Sequence, residues 1–305
     1  MVVIEDEIQV LLATYNGEQY LRQQLDSILT QDYVDLRIIA RDDGSNDNTA
    51  GILAEYASNL PERIQVLATD APSGSPKGNF QRLMEASTAP YIMFSDQDDV
   101  WDADKASVSM ERMRRLEGEH GVGAPLLVFT DLTVVSADLK VLNHSFWRHQ
   151  NIHPSAIHRL TWLLRHNAMP GCSALFNRPL LDLAVPIPDG AHMHDWWIAL
   201  VANILGYSSY LDRSTVRYRQ HGRNSIGAGK EQHASRIPFV YDQEIRIKTG
   251  GWSEPQARAL LRLHGPIMPA SKKMIVKTFL RWRALRSGMG KLTKMLKRVA
   301  PSEAR

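Results

Sequence analysis

Two groups of carboxylates carry the clearest chemical meaning in this sequence. Asp42-Asp43 and the segment 96–99 (DQDD) each follow an apolar run with the character of a β-strand. Carboxylates crowded at strand ends repel one another, so we expect a cation between them. Alternation places Asp96 and Asp98 on the same side of the chain, and their oxygens suit Mg²⁺ or Mn²⁺ carrying a diphosphate. A solvated acidic loop is the alternative.

A third acid and one histidine extend this set. Asp195 precedes Trp196 and Trp197, where partial desolvation would raise its pKa toward the range of a general base, and flat indole faces suit sugar rings. Alternatively, Asp195 caps a helix and the tryptophans belong to the core. His221 is either a surface imidazole or a group that reaches the metal or the diphosphate.

Two polar segments have equally open interpretations. Asp42-Asp43-Gly44 is either a turn or a place where one carboxylate accepts hydrogen bonds from a nucleobase edge. Lys77 and Asn79 stand where a helix begins, so that backbone N–H groups and a cation could meet an anion. A plain helix start explains them as well.

Alternating strand and helix patterns must position these residues. The predicted strands are 8–13, 36–40, 64–68, 91–95, 126–135, 171–176 and 208–219, and the predicted helices are 17–31, 47–57, 78–86, 103–117, 156–165 and 195–205. This order predicts an α/β fold with a mostly parallel sheet covered on both faces. Ligands in such folds bind beyond the carboxyl ends of the strands, where both acidic groups lie.

Composition indicates a folded enzyme rather than a disordered or disulfide-rich chain. The 305 residues are 44% apolar and 23% charged, enough for one substantial core. The lone Cys172 excludes an intramolecular disulfide and a Cys-rich zinc site, and favours a cytoplasmic location. We find neither a secretion signal nor a run of about 20 apolar residues that would span a membrane.

The C-terminal segment 271–305 differs in charge from the rest. It holds 11 of the 36 basic residues but only one of the 33 acidic residues. Its apolar residues recur at spacings of three and four, which predicts a basic amphipathic helix that binds the surface of an anionic membrane. Packing on the catalytic domain, or on a second subunit of a homo-oligomer, is the alternative. Nucleic-acid binding is not expected because the remainder is acidic.

Seven motifs in a fixed order link the sequence to a known family. They are ATYNG at 13–17, DDGSNDNT at 42–49, KGNF at 77–80, FSDQDDVW at 94–101, GCS at 171–173, HDWW at 194–197 and YRQH at 218–221. Over about residues 8–225 they resemble family 2 glycosyltransferases, and most closely the bacterial rhamnosyltransferase-type enzymes of cell-surface polysaccharide assembly. The resemblance implies a Rossmann-like GT-A domain at 1–230, divided into a nucleotide-sugar-binding half at 1–120 and an acceptor-binding half at 121–230, before a helical extension at 231–305.

The resemblance also implies a donor site. The residues expected to bind the nucleotide sugar are Thr14, Tyr15, Asn16, Asp43, Lys77, Asn79 and Asp96. Asp96 and Asp98 correspond to the metal-diphosphate motif, with Asp98 the direct ligand of Mg²⁺ or Mn²⁺, and His221 lies near the diphosphate.

On the acceptor side, Asp195 corresponds to the catalytic base of an inverting displacement. Gly171 and Cys172 border the acceptor pocket, next to Trp196 and Trp197. The sequence lacks the Gln-x-x-Arg-Trp motif of processive synthases, so addition of one sugar per encounter is expected.

These implications define one expected activity and two alternatives. The expected enzyme is a metal-dependent inverting glycosyltransferase that moves rhamnose from dTDP-rhamnose to a lipid-linked or oligosaccharide acceptor, at the inner face of the cell membrane. One alternative is a transferase for a UDP-hexose such as galactose, glucose or N-acetylglucosamine. The other is a catalytically idle nucleotide-sugar-binding partner in an assembly complex.

Overall fold

The structure is a computed structural model that describes residues 6–221 and 253–299. Its strands are β1 (Ile8–Thr14), β2 (Leu36–Asp42), β3 (Ile64–Val66), β4 (Tyr91–Ser95), β5 (Val100–Trp101), β6 (Leu126–Ser136), β7 (Val141–Asn143), β8 (Ala174–Asn177) and β9 (Tyr207–Gln220). Its helices are α1 (Leu21–Leu29), α2 (Thr49–Asn59), α3 (Pro76–Ala86), α4 (Lys105–His120), α5 (Phe146–His149), α6 (Leu160–Leu163), α7 (Arg178–Ala184), α8 (His194–Leu205), α9 (Ser253–His264) and α10 (Ala270–Val299). The predicted boundary at residue 230 lies outside the described residues.

The strands of the described residues form one sheet in the order β3-β2-β1-β4-β8-β6-β9-β5, with β7 paired to β6. The first four strands in that order are parallel, as predicted. Beyond them β8 runs antiparallel to both β4 and β6, so the second half of the sheet is mixed. The α/β prediction is confirmed. The predicted mostly parallel arrangement holds for β1 to β4 within residues 1–120, which were predicted to bind the nucleotide sugar, but not for the rest of the sheet.

Apolar runs explain why these strands lie at the centre. All five residues of β4 are buried, and β1 is buried along almost its whole length, because helices cover both faces of the sheet. Helix α8 is buried over nearly its whole circumference, which fits its apolar sequence. It therefore holds its first turn rigidly beneath the sheet edge.

One helix prediction is wrong. The helix expected at 156–165 is divided into a short 3₁₀ segment at Pro154–His158 and the single turn of α6. The strand expected from residue 171 instead begins with a 3₁₀ turn at Gly171–Ser173, and the strand proper starts at Ala174. That turn places Gly171 and Cys172 beneath the end of β4.

Candidate active site

The carboxyl ends of three parallel strands meet at one edge and bring the two acidic groups together. Thr14 at the end of β1 pairs with Asp42 on β2, and on the other side Leu12 of β1 pairs with Ser95 of β4. Asp42-Asp43 and the acidic turn, defined as residues 96–99, therefore flank the end of β1. This juxtaposition was expected from the strand order.

The turn after β1 is fixed to the acidic turn by a reciprocal amide pair. The Gln97 side chain accepts a hydrogen bond from Tyr15 N at 2.8 Å and donates one to Tyr15 O at 2.9 Å. A Cβ atom on Gly17 would lie 2.2 Å from Gln97 Oε1, so any other residue there would displace the Gln97 amide from this pairing. Asn16 has a φ of 50°, and its N–H donates to Ser45 Oγ. These contacts hold the backbone while the Tyr15 ring stays 54% exposed.

An open pocket of about 640 Å³ lies in front of this turn. It is lined by residues of the β1–α1 turn, the start of α2 and the acidic turn, namely Tyr15, Asn16, Gly17, Glu18, Gln19, Tyr20, Asp47, Asn48, Ile52, Gln97, Asp98 and His221. Its volume is in the range of small-molecule and cofactor sites. Tyr15, Asn16, Asp98 and His221, all predicted from sequence, border the same space.

Asp43 is not among the residues that line the pocket, and both of its oxygens accept hydrogen bonds from protein donors. Its Oδ1 accepts from Arg41 Nη1 at 2.7 Å and from Ser73 N at 2.6 Å, and its Oδ2 accepts from Ser73 Oγ and Gly74 N. Burial alone would raise the pKa of Asp43, but the hydrogen bonds from Ser73 and Arg41 lower it below the ordinary value. In this structure Asp43 fixes the Ser73–Gly74 turn, and its contact with a nucleotide stays a prediction.

Lys77 and Asn79 are bound to backbone groups rather than directed at an anion. Lys77 Nζ donates to the carbonyl oxygens of Asp189 and Ala191. The buried Asn79 amide donates to Thr14 O and accepts from Arg41 Nη1 at 2.9 Å. In this structure both side chains therefore have a structural role, and their contact with the anionic donor stays a prediction.

That helix start has its own cap. Ser75 Oγ accepts a hydrogen bond from Gly78 N, and Pro76 occupies the first turn of α3. The backbone donors of the turn are thus partly satisfied without a ligand.

The acidic turn presents three carboxylates at different depths. Asp96 is half-buried, Asp98 Oδ2 lies 2.8 Å from His221 Nε2, and Asp99 is fully buried. Arg219 anchors the turn, since its N–H donates to Asp99 Oδ1 at 3.0 Å and its Nε donates to Asp98 O at 2.6 Å. The end of β9 therefore sets the shape of the turn.

Electrostatics connect this turn to Asp195. Burial, followed by the charges of Asp98 and Asp195, raises the pKa of Asp96 to about 7. Repulsion of this kind requires that the three carboxylates lie near one another. The structure thus brings together Asp96, Asp98, Asp195 and His221, which lie up to 125 residues apart in sequence.

Asp195 itself is held as a hydrogen-bond acceptor in the first turn of α8. Its Oδ1 accepts from Trp196 N at 2.6 Å and its Oδ2 accepts from Asn167 Nδ2 at 3.0 Å. Burial raises its pKa to about 6, although these hydrogen bonds act in the opposite direction. A carboxylate with this pKa is ionised near neutral pH and is still basic enough to take a proton.

The neighbouring His194 is neutral and packed between aromatic rings. It stacks on Phe80 at 3.9 Å between ring centroids and meets Phe94 edge-on, and burial lowers its pKa to about 3. A Cβ on Gly171 would lie 3.0 Å from His194 Nε2 and 3.3 Å from Asp195 Cβ. The absence of a side chain at Gly171 lets the 3₁₀ turn approach the start of α8 closely.

The tryptophans are core residues, which corrects the expected stacking with a sugar. Trp196 and Trp197 are 1% and 0% exposed, and their indole N–H groups donate to the carbonyl oxygens of Leu163 and Ala184. Neither ring has a free face. Cys172 is also buried, so its thiol lies under the acidic turn and not on the surface of an acceptor pocket.

Sequence reasoning missed several positioning residues. Asn167 orients Asp195, Gln97 fixes the Tyr15 turn, and Arg219 anchors the acidic turn. An isolated Asn in a loop has no recognisable pattern. Gln97, by contrast, lies inside the DQDD motif, where its amide between carboxylates was a usable indication.

The sequence matches a known protein family and a known relative. Residues 9–183 match the profile of Glycosyl transferase family 2. The dTDP-rhamnosyl transferase RfbG of Shigella flexneri is 30% identical over 228 residues, which cover 71% of this chain and 74% of that protein.

Two solved structures share the fold. S. aureus TarS 1–349 in complex with UDP-GlcNAc has a TM-score of 0.57 at 18% identity, with 90% of this chain and 71% of that chain covered. The mannosyltransferase PcManGT from Pyrobaculum calidifontis, in complex with GDP-Man and Mn²⁺, has a TM-score of 0.52 at 16% identity, with coverage of 95% and 83%.

Proposed function

The chain belongs to glycosyl transferase family 2, and from this premise we propose that it moves one sugar from a nucleoside diphosphate to an acceptor hydroxyl with inversion. Its identity as a glycosyltransferase and its GT-A fold, both expected from the motifs, are confirmed. The observation that carries the mechanism is the position of Asp195, a buried carboxylate within electrostatic reach of Asp96 in the acidic turn.

The proposed step needs no covalent intermediate. Asp195 takes the proton of the acceptor hydroxyl while that oxygen bonds to the anomeric carbon, and the bond from this carbon to the diphosphate oxygen breaks on the opposite side. Hydrogen bonds from Asn167 and the Trp196 N–H fix the orientation of the Asp195 carboxylate, which can then accept the proton of the hydroxyl. The nucleoside diphosphate leaves with the electron pair of the broken bond.

A divalent ion fits the acidic turn at Asp98. The paired Asp98 Oδ2 and His221 Nε2, with the half-buried Asp96 nearby, supply carboxylate and imidazole ligands beside the open pocket. When bound, such an ion screens the diphosphate and stabilises it as a leaving group. Imidazole suits transition metals better than Mg²⁺, so the donor set favours Mn²⁺.

The donor we propose is dTDP-rhamnose, which rests on the similarity to the Shigella rhamnosyltransferase. A UDP-hexose donor is the alternative, and TarS was solved with UDP-GlcNAc. An idle nucleotide-sugar-binding partner is less well supported, because such a protein has no need for a carboxylate held ready as a base.

A donor screen tests this function. With Mn²⁺ present, dTDP-rhamnose is expected to raise the melting temperature at lower concentration than UDP-glucose, UDP-galactose or UDP-N-acetylglucosamine, because a ligand that binds the folded state stabilises it. Release of free nucleoside diphosphate on addition of candidate acceptors then distinguishes an enzyme from an idle partner. Stabilisation by no nucleotide sugar contradicts the proposal.

For the acceptor, we infer a lipid-linked or oligosaccharide hydroxyl at a membrane surface. Among the described residues, no helix combines the length and apolar composition needed to cross a bilayer. Helix α10 instead packs one side on the domain, with Val276 and Phe279 buried. Its opposite side exposes Met274 and Leu285, 61% and 69% accessible, together with Lys277 and Arg281.

This outer side of α10 suits an anionic bilayer at the inner face of the cell membrane. Apolar side chains can insert while neighbouring cations contribute about 1 kcal/mol each near anionic lipid. The catalytic domain would then lie on the cytoplasmic side. Packing of the inner side also means that removing 271–305 would disturb the fold, so surface substitutions are the better test.

The double variant Lys277→Glu/Arg281→Glu is expected to bind vesicles containing phosphatidylserine about tenfold or more weakly than the unchanged protein, because two attractive charges become repulsive. Cosedimentation measures this binding, with phosphatidylcholine vesicles as the lipid control. Lys140→Glu is the matched protein control, because Lys140 is an exposed lysine in the turn between β6 and β7 and not on α10. Equal binding by the double variant and the control contradicts a membrane role for α10.

A further inference from the structure

A buried cluster behind the acidic turn has no role in the proposed reaction. Asp99 is 0% exposed, Cys172 is 1% exposed, and Lys105 is 0% exposed. Asp99 Oδ2 and Lys105 Nζ have no hydrogen-bonding nitrogen or oxygen partner among the described residues. The partners they do have are weak, namely the Cys172 thiol for Asp99 and the face of the Trp101 ring, 4.4 Å away, for Lys105 Nζ.

The geometry of this cluster is that of a metal site. One ligand atom each from Asp96, Asp99 and Cys172 lie within 4.8 Å of one another. Ions bound by such ligands sit about 2.3 Å from sulfur and about 2.0–2.2 Å from carboxylate oxygen, so small side-chain movements bring all three into contact. Since Asp96 is half-buried, water can supply a fourth ligand.

We propose that Asp96, Asp99 and Cys172 bind a soft divalent cation, Zn²⁺ or Cd²⁺, and that this ion inhibits the enzyme. As the metal–sulfur bond forms, the thiol loses its proton to solvent. Two carboxylates and one thiolate carry three negative charges, which the divalent ion and the Lys105 ammonium together neutralise. Lys105 lies in electrostatic range of both Cys172 and Asp99.

This site differs from the one proposed for the donor's ion. Sulfur favours soft ions, whereas Mn²⁺ is better matched by the carboxylate and imidazole ligands at Asp98 and His221. Asp96 lies two residues from Asp98 in the acidic turn, so an ion held against Cys172 takes up a carboxylate that the donor's ion would otherwise share. The binding site itself does not depend on the proposed function; only its inhibitory effect does.

The test uses the full chain and exploits its single cysteine. Titration with Cd²⁺ in the presence of Mn²⁺ is expected to produce the ultraviolet charge-transfer band of a cadmium thiolate, which can arise only from Cys172. The band should be lost in Cys172→Ser and weakened in Asp99→Asn. Circular dichroism and melting temperature show that each variant is folded.

The inhibitory part is measured as the Zn²⁺ concentration that halves transfer at saturating Mn²⁺. We expect Cys172→Ser to need about tenfold or more Zn²⁺ than the unchanged protein, each compared with its own rate in Mn²⁺ without Zn²⁺, because a soft ligand is lost. Absence of the cadmium band in the unchanged protein overturns the site. A band together with equal Zn²⁺ sensitivity in both proteins overturns the inhibition, and a band without any transfer activity points to failure of the proposed function instead.

Discussion

Asp195→Asn is expected to lower the rate constant for transfer by about 10³-fold, or about 4 kcal/mol of activation free energy, with little change in donor affinity. The amide keeps the size of the carboxylate but cannot accept the acceptor proton. Asp195 also lies on helix α8, in the half proposed to bind the acceptor, and is not among the residues that line the pocket beside the β1–α1 turn. Single-turnover kinetics with saturating donor, and calorimetric titration of the nucleoside diphosphate, measure the two effects separately.

Asp182→Asn is the matched control for this change. Asp182 lies on the surface of α7, 3.7 Å from Arg178 Nη1, so the Asp182→Asn variant should transfer at the rate of the unchanged protein. Transfer by Asp195→Asn at more than a tenth of the normal rate, from a correctly folded protein, means that another group is the base.

The pH profile provides an independent check on the same carboxylate. Because burial raises the pKa of Asp195 to about 6, the group is protonated and inactive as a base below that pH. The rate constant should therefore fall about tenfold per pH unit below pH 6 and level off above it. The residual activity of Asp195→Asn should lack this acid limb.

Asp98→Ala is expected to abolish metal-dependent binding of the nucleoside diphosphate, with a loss of about 100-fold in affinity in Mn²⁺. The substitution removes the carboxylate that faces His221 and leaves only one proposed ligand of the pair. Calorimetry with and without EDTA measures the effect. In the unchanged protein chelation should weaken binding, whereas in Asp98→Ala it should change little.

Asp138→Ala serves as the control, because this exposed aspartate pairs only with surface and loop groups around Lys140. Equal diphosphate affinity in the unchanged protein with Mn²⁺ and with EDTA would show that no ion bridges the acidic turn. Loss of affinity in Asp98→Ala without any metal effect would assign Asp98 a direct polar contact instead.

Much of the sheet edge could be predicted because its determinants are local. Apolar runs locate β1, β2 and β4 within two residues of their observed ends, and parallel order then places Asp96 and Asp98 beside the β1 turn. The strand pattern places them at this edge, whereas Arg219 of β9 sets the shape of the turn that carries them. The same reasoning located Asp195, since α8 begins one residue before the predicted helix.

Side-chain partners distant in sequence could not be predicted. Asp43 is engaged by Ser73, 30 residues later, and Asp195 by Asn167, 28 residues earlier. Lys77 finds backbone carbonyls more than 110 residues away. Nothing in the local pattern distinguishes a carboxylate that faces a ligand from one already saturated by the protein, because that difference is decided by tertiary packing.

The pairing of Gln97 with the Tyr15 backbone has a consequence for redesign. An engineer who wishes to exchange nucleotide preference would naturally transplant the segment between β1 and α1 from a homologue. Here such a graft would lose the pairing between the two segments unless position 97 were transplanted with it and glycine were kept at 17. A redesign of donor preference should therefore exchange the β1–α1 turn and the acidic turn together.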